Sequence, residues 1–329
     1  MRVLAGDIGG TKTLVAVFET QDGKHQSLEK LRVQRFASAE HPGLESILEN
    51  FLSSETIGFD AAAFAVAGPV HDEVCKATNL PWIVDGNLIA KKFGIPRVHL
   101  RNDFGAVAFG VQHLKSDEVE VIQSGVSDPH GMRAVIGAGT GLGQALLAPC
   151  DGKWNVIENE GGHTDFAPRN ELEIGLLRFM LKRHKRVSWE RLVSGPGLLA
   201  LYDYLVEAGE IDSHPAVEAA KGHADPSEIM GKAALERNDP ACRRVVDLFL
   251  ELYGAEAGNL ALKCLPTGGL FIAGGIAPKL LPILKGPFLP AFMNKGRMSP
   301  LLEDVPIYVV KKPDIGLWGA AAIALEPNA

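Results

Sequence analysis

Two apolar runs in this chain each end in a glycine turn that carries threonine and returns as a further strand. The first reads Asp7-Ile8-Gly9-Gly10-Thr11, the second Gly137-Ala138-Gly139-Thr140-Gly141. Glycine in such turns lets the backbone bend sharply or lie against a ligand, and its amides offer directed donors to phosphate oxygens. Two commoner phosphate-binding designs do not fit. No Gly-Lys pair is followed by Ser or Thr, as G-x-x-x-x-G-K-[ST] requires. Gly137, Gly139, Gly141 and Gly143 are spaced by two and open a strand, whereas a dinucleotide fold needs G-x-G-x-x-G opening a helix. The reading that remains is a pair of strand–turn–strand hairpins facing one another across a cleft and gripping a triphosphate. Asp7, where a strand enters the first turn, is placed either to orient a hydrated Mg²⁺ or to cap the turn. Thr11 and Thr140 can add hydroxyl donors and Lys12 a positive charge.

The rest of the chain follows an α/β plan. Residues 3–6, 14–18 and 31–36 suit a meander of antiparallel strands, 44–52 has helical spacing, and 61–67 and 98–100 read as strands. Near residue 133 the plan restarts with a strand, the glycine turn 137–143 and a second strand from 145, a duplication of local architecture without duplication of sequence. Helical spacing then covers 171–183, 197–208, 226–236 and 240–264, before strands at 270–273 and 307–310 and a last helix over 315–325. The length, 329 residues, favours two domains. With 33 basic and 40 acidic side chains the net charge is −7, which disfavours nucleic acid as a partner. Cys75, Cys150, Cys242 and Cys264 form no C-x-x-C pair, so they read as reduced thiols. No apolar run reaches the ~20 residues of a membrane span, and the first residues read as a core strand without room for a signal peptide. The expectation is a cytoplasmic protein with no membrane partner.

Longer strings carry a resemblance. Leu4-Ala5-Gly6-Asp7-Ile8-Gly9-Gly10-Thr11, Ile136 to Gly143 and Phe271-Ile272-Ala273-Gly274-Gly275-Ile276 resemble the two phosphate motifs and the adenosine motif of the actin, Hsp70 and sugar-kinase superfamily. Asn102-Asp103-Phe104, Glu160-Gly161-Gly162-His163-Thr164-Asp165-Phe166-Ala167-Pro168, the Ser194-Gly195-Pro196-Gly197 string and Asp314-Ile315-Gly316-Leu317-Trp318-Gly319 make the chain similar, over nearly its whole length, to bacterial glucokinases. The zinc-binding cysteine string of the related repressor, open-reading-frame and kinase group is not found after His163, where the next cysteine is Cys242. The resemblance implies a two-domain actin-like ATPase (ribonuclease H-like) sugar-kinase fold with an interdomain cleft. Its small domain would be 1–108 plus 312–329 and its large domain 109–311. It also implies a homodimer that uses ATP and Mg²⁺ to make glucose 6-phosphate from glucose. A kinase for another hexose, or a non-catalytic sugar sensor on the same scaffold, are the alternatives.

By the same resemblance, Asp103 takes the proton from the sugar O6, although Asp is also a favoured cap for a helix starting at Phe104. Asn102, Asp103, Glu160, His163 and Glu190, with Asn79, would bind the sugar. Gly9, Gly10, Thr11, Lys12, Gly137, Ala138, Gly139, Thr140 and Gly141 would hold the phosphates, with Asp7 reaching the metal. Gly269, Gly274 and Gly275 would lie near the adenosine, and Asn259 is a weaker candidate that also suits helix packing. Glu160, His163 and Asp165 have an alternative reading as metal ligands. Gly316, Gly319, Ala320 and Ala321 read as small residues that let the last helix pack closely.

Overall fold

The computed structural model describes residues 1–53, 57–222, 225–236 and 239–326. The chain divides into two compact units. One comprises Met1–Glu118, Val156–Glu158 and Lys312–Ala329, the other Val119–Asn155 and Asn159–Lys311.

In the first unit, β1 (Arg2–Ile8), β2 (Lys12–Glu19) and β3 (Glu29–Ala37) form an antiparallel meander. After α1 (Leu44–Leu52), β4 (Ala61–Val66) pairs in parallel with β1. A small antiparallel sheet of β5 (Val70–His71), β6 (Val74–Lys76) and β7 (Ile83–Asp85) leads to α2 (Gly86–Phe93). β8 (Val98–Asn102) then joins β4 in parallel and runs straight into α3 (Asp103–Val111), giving the order β3-β2-β1-β4-β8. The opening strands lack polar alternation because this sheet is buried on both faces. Leu4 and Ile8 pack with Ile47, Phe51 and Ile89 on one side. Val3, Ala5, Ala61, Ala63 and Ala65 meet Leu317, Ala320, Ala321 and Ala324 of the closing helix Ile315–Leu325 on the other. That helix approaches α3 so closely that a Cβ on Gly319 would stand 1.8 Å from the Ala106 carbonyl oxygen. The small residues of the last helix therefore do pack as the sequence suggests.

The second unit repeats the plan. Its sheet is built from β9 (Val119–Gln123), β10 (Arg133–Ala138), β11 (Leu142–Cys150), β12 (Lys153–Asn159, of which Val156–Glu158 are counted with the first unit), β13 (Gly269–Ala273) and β14 (Ile307–Val310), ordered β12-β11-β10-β13-β14-β9. β10 is antiparallel to β11 and parallel to β13, as β1 is to β2 and β4. The duplication suspected from the turns is thus one of strand order. The second hairpin runs further into its glycines than the sequence suggests, whereas Gly9 and Gly10 stay in the first turn. Gly137 pairs with Gly143 and Ala138 with Leu142, which shortens the second turn from 137–143 to 139–141. Continuous ladder hydrogen bonding overrides the low strand preference of glycine here.

Helices α4 (Glu171–Leu181), α5 (Gly195–Glu207), α6 (Pro215–Ala220), α7 (Pro226–Glu236), α8 (Pro240–Cys264), α9 (Leu281–Met293) and α10 (Ser299–Glu303) complete this unit. α8 is its central buried helix, carrying Val245, Phe249, Leu252 and Tyr253 into the core. α9 was not expected, since Pro287 and Pro290 lie inside it. Tertiary packing overrides the broken hydrogen bonds. Its backbone rests on glycines of α8, where a Cβ on Gly254 would stand 2.2 Å from the Phe288 carbonyl oxygen. No helix among the described residues is long and apolar enough to cross a membrane.

Candidate active site

In the first unit the parallel register aligns Ile8 with Val66 and Val66 with Asn102. The first glycine turn, Gly68 and Asp103 therefore emerge at the carboxyl edge of one sheet, where α/β sheets bind ligands. The Gly9 amide closes the turn on the Lys12 carbonyl at 3.0 Å. Gly10 presses on Asn79, whose Cβ would lie 2.8 Å from one built on the glycine. Thr11 and Lys12 are exposed at the turn.

Asp7 lies one residue inside the end of β1, against the start of the closing helix; a Cβ on Gly316 would meet its Oδ2 at 3.5 Å. Burial, and next the negative charge of Asp103, push its carboxyl up to about 6; Lys12 opposes this and Asp314 adds to it. Asp314 is itself held by Lys30 Nζ at 2.7 Å and by Trp318 Nε1–H at 3.2 Å. Asp7 is thus a carboxylate short of positive charge. Asp314 was not among the expected site residues, although it opens one of the strings that carried the resemblance.

The cap on α3 is Asn102. Its Oδ1 accepts from the amides of Phe104 at 2.9 Å and Gly105 at 3.2 Å, and its Nδ2 donates to the Gly68 carbonyl at 3.2 Å. Asp103 is the first helical residue, not the residue before a helix starting at Phe104, and its Oδ1 also accepts from the Phe104 amide at 2.9 Å.

In the second unit the sugar string and the second turn come together. Glu190 Oε2 accepts from the Leu142 amide at 3.0 Å, so its carboxylate is tied to the strand leaving the turn. Its Oε1 lies 3.7 Å from His163 Nδ1, and His163 Nε2 lies 3.8 Å from Glu160 Oε2. Of the two glycines between Glu160 and His163, Gly162 is sterically required by backbone and Gly161 lies close to side-chain ends. A Cβ on Gly162 would stand 1.9 Å from the Leu142 carbonyl oxygen and one on Gly161 2.1 Å from Gln144 Oε1. The turn is pinned from beneath. Gly139 N–H donates to the Gly141 carbonyl, Gly195 N–H to the Gly139 carbonyl, both at 2.8 Å, and Ala138 N–H to the Tyr253 hydroxyl at 3.1 Å. Gly137 and Ala138 end β10, and Thr140 is exposed at the tip. Gly274, at φ +84°, lies against Ala138 with Gly275 beside it; a Cβ there would stand 2.4 Å from the Ala138 carbonyl oxygen.

Three expected residues have other surroundings. Gly269 begins β13, at the end opposite Gly274, with φ +114° and the Tyr308 ring against it. Asn259 is bonded within the protein, donating to Glu256 Oε2 at 3.0 Å and accepting from Lys295 Nζ at 2.5 Å. Asp165 turns to Arg186, whose Nε lies 3.4 Å away. Among the described residues the side chains close enough to share a metal are His214, Asp239 and Cys242, not Glu160, His163 and Asp165. Burial and Asp239 push the Cys242 thiol up to about 12, and Asp239 caps α8. Gly195 and Tyr253 support the turn yet escaped the sequence reading. Ser-Gly-Pro-Gly before an apolar run was the available signal for the first; nothing marked a tyrosine deep in a helix.

The model of the family described as Glucokinase matches residues 4–327. The chain belongs to the glucokinase family. A glucokinase of Nostoc punctiforme is 44% identical to it over 337 aligned positions, covering 98% of both chains. Among solved structures, a glucokinase from an Antarctic psychrotroph is 32% identical, with a TM-score of 0.84 and 98% of each chain covered. A ROK family glucokinase from Streptomyces griseus, solved in complex with glucose and AMPPNP, shares the fold at a TM-score of 0.69 and 21% identity, over 98% of this chain and 99% of that one. The fold is that of the actin-like ATPase sugar kinases.

Proposed function

We propose that the chain transfers the γ-phosphoryl group of ATP to O6 of D-glucose, giving glucose 6-phosphate and ADP. The observation that carries this is the cluster of Glu190, His163 and Glu160, fastened through the Leu142 amide to a glycine hairpin. Such a set suits a hexose, because carboxylates accept from hydroxyls and imidazole does both. Each hydroxyl that a wrong epimer leaves unpaired costs about 1–3 kcal/mol, which is enough for selectivity.

Asp103 accepts the O6 proton as the oxygen attacks phosphorus. Its backbone is held by the Asn102 cap, which gives the base a fixed position at the end of β8. Asn102 and Asn79 add amide contacts to the sugar. The amides of 9–11 and 138–141, with Thr11, Thr140 and Lys12, hold the phosphates, and Gly274 and Gly275 border the adenosine. Asp7 fits Mg²⁺: an oxygen ligand with a carboxyl raised by burial and by neighbouring Asp103 gains from a divalent cation. When bound, Mg²⁺ supplies charge compensation for the phosphoryl oxygens. In this reading the enzyme works in the cytoplasm as a homodimer, in keeping with four free thiols.

The test is turnover. Purified protein with MgATP is offered glucose, mannose, fructose and glucosamine in turn, and ADP release is followed with coupling enzymes. Glucose is expected to give the highest kcat/KM. Consumption of none of these sugars overturns the proposal, and preference for another hexose reassigns the substrate.

A further inference from the structure

Asp239 and Cys242 stand three residues apart where Pro240 opens α8, so their side chains fall on one side of its first turn. Asp239 caps the helix, its Oδ1 accepting from the Cys242 amide at 2.8 Å, and the Cys242 thiol turns to the same carboxylate. The residue before α6 brings a third group, for His214 Nε2 lies 3.8 Å from Asp239 Oδ2. An imidazole nitrogen, a carboxylate oxygen and a sulfur thus converge within 4.8 Å of one another.

Helix capping accounts for Asp239 and leaves the imidazole unexplained. A separation of 3.8 Å is too long for a hydrogen bond, and His214 Nδ1 is buried with no partner among the described residues. A metal approaching this ring therefore has no hydrogen bond to break. The backbone around the cluster is fixed: His214 N–H donates to the Tyr202 hydroxyl at 2.8 Å and Asp239 N–H to the Ala233 carbonyl at 3.1 Å. The neighbouring cation, Arg243, pairs with Asp247 at 2.8 Å and not with Asp239.

Nitrogen, oxygen and sulfur donors together suit a borderline ion such as Zn²⁺, whereas Mg²⁺ and Ca²⁺ take oxygen ligands. On a tetrahedral zinc, with bonds of about 2.0–2.3 Å, ligand atoms lie about 3.3–3.8 Å apart. The cluster needs to tighten by no more than about 1.5 Å to reach that spacing. A helix N-terminus disfavours a bare cation. Here one carboxylate and one thiolate cancel both charges of the ion, and a neutral imidazole adds none.

We propose that His214, Asp239 and Cys242 form a zinc site that clips the start of α6 to the start of α8. His214 binds through Nε2, Asp239 through Oδ2 and Cys242 through Sγ. Water takes the fourth position, on the side where His214 and Asp239 are partly exposed. On binding, the Cys242 S–H bond breaks, its proton passes to solvent and the sulfur electron pair bonds the metal. Asp239 Oδ1 keeps the Cys242 amide, so the cap survives. The clip serves the folded framework, since α8 is the buried helix whose Tyr253 hydroxyl holds the Ala138 amide of the second turn.

The experiment uses the full, untagged chain, stripped with a chelator and then titrated with Zn²⁺ by calorimetry in the absence of nucleotide. One zinc per chain is expected. Co²⁺ in its place is expected to give the visible bands of a tetrahedral ion and a thiolate charge-transfer band in the near ultraviolet. Zinc should raise the melting temperature, because an ion held by the folded state stabilises it. His214→Ala and Cys242→Ser, made singly, are expected to bind zinc at least about 100-fold more weakly, the upper end of what loss of a residue that only supports a ligand costs. Cys150→Ser removes an exposed thiol outside the cluster and should change nothing. No binding in the parent, a cobalt spectrum without sulfur ligation, a melting temperature indifferent to zinc, unchanged affinity in either ligand variant, or loss of binding in Cys150→Ser overturns the proposal. The cobalt spectrum is read on the parent chain, so it decides even if a variant misfolds. None of these readouts needs sugar turnover, so failure of the kinase reading is seen separately.

Discussion

Asp7→Asn separates what the first hairpin contributes to folding from what it contributes to function. The Asp7 carboxyl stands at about 6 in the folded chain against an ordinary aspartate value of 3.8, raised by burial and by Asp103. That difference of about two pH units, at about 1.4 kcal/mol each, amounts to about 3 kcal/mol at most. The folded value is the higher one, so the folded state binds this proton more tightly than the unfolded state. Ionised Asp7 therefore opposes folding above about pH 6, and the opposition fades as pH falls from about 6 towards the unfolded value. Asparagine keeps the size and removes the charge. The variant is expected to melt higher at about pH 8, by an amount worth about 1–3 kcal/mol, with the gap roughly halved at about pH 5 and closing only near about pH 4. It is also expected to lose about 10²-fold in kcat/KM for MgATP, since an electrostatic contact to the phosphoryl-transfer site is gone. Differential scanning fluorimetry across this pH range, with and without MgATP, reads both effects; MgATP raises the melting temperature of the parent and not of the variant. A variant that melts lower at about pH 8, or a gap that ignores pH, refutes the reasoning.

Other substitutions probe the remaining parts. Asp103→Ala is expected to lower kcat by about 10²–10⁴-fold with the melting temperature held, because Asn102 caps α3; steady-state kinetics beside a thermal melt decides. Glu190→Gln keeps the side-chain volume but loses a charged acceptor, so glucose KM should rise about tenfold or more while KM for MgATP moves little. Gly319→Val places atoms where the Ala106 carbonyl already stands and should cost at least about 1–3 kcal/mol, seen as a lower melting temperature or insoluble expression. Glucose should change tryptophan fluorescence, since buried Trp189 adjoins Glu190 in the chain; the Glu190→Gln variant should need more glucose for the same change.

The hairpins, the strand runs and the long helix were legible from residue order because each has a local cause. Apolar runs must be buried, glycine marks a sharp turn, and the 240–264 periodicity needs no partner to be seen as helical. The strings around Asp103, Glu160 and Glu190 were legible for another reason, since chemistry-bearing residues at set spacing survive as a pattern even when their partners are far away. What could not be read was any feature created by distant segments meeting. Gly269 and Gly274 look equivalent along the chain, yet β13 carries them to opposite ends of a strand.

Asn259 shows the same limit. Its spacing on α8 says that it faces some neighbour, but only the return of Lys295 and the proximity of Glu256 show that both ends of its amide are already engaged. α9 contradicts its own prolines because two glycines of α8 let its backbone settle onto another helix, and that contact outweighs a local preference. Lys182 to Arg186 is a run of basic residues and one histidine along the chain, and only the fold shows Arg186 gripping the His163 carbonyl. Residue order thus settled which segments would be strand, turn or helix and which side chains carry the chemistry, because those are decided within a few neighbours. Which carboxylate is short of a cation, which glycine has no room for a side chain and which charges share a cavity were left to the three-dimensional arrangement. Those properties are sums over atoms brought together from far along the chain.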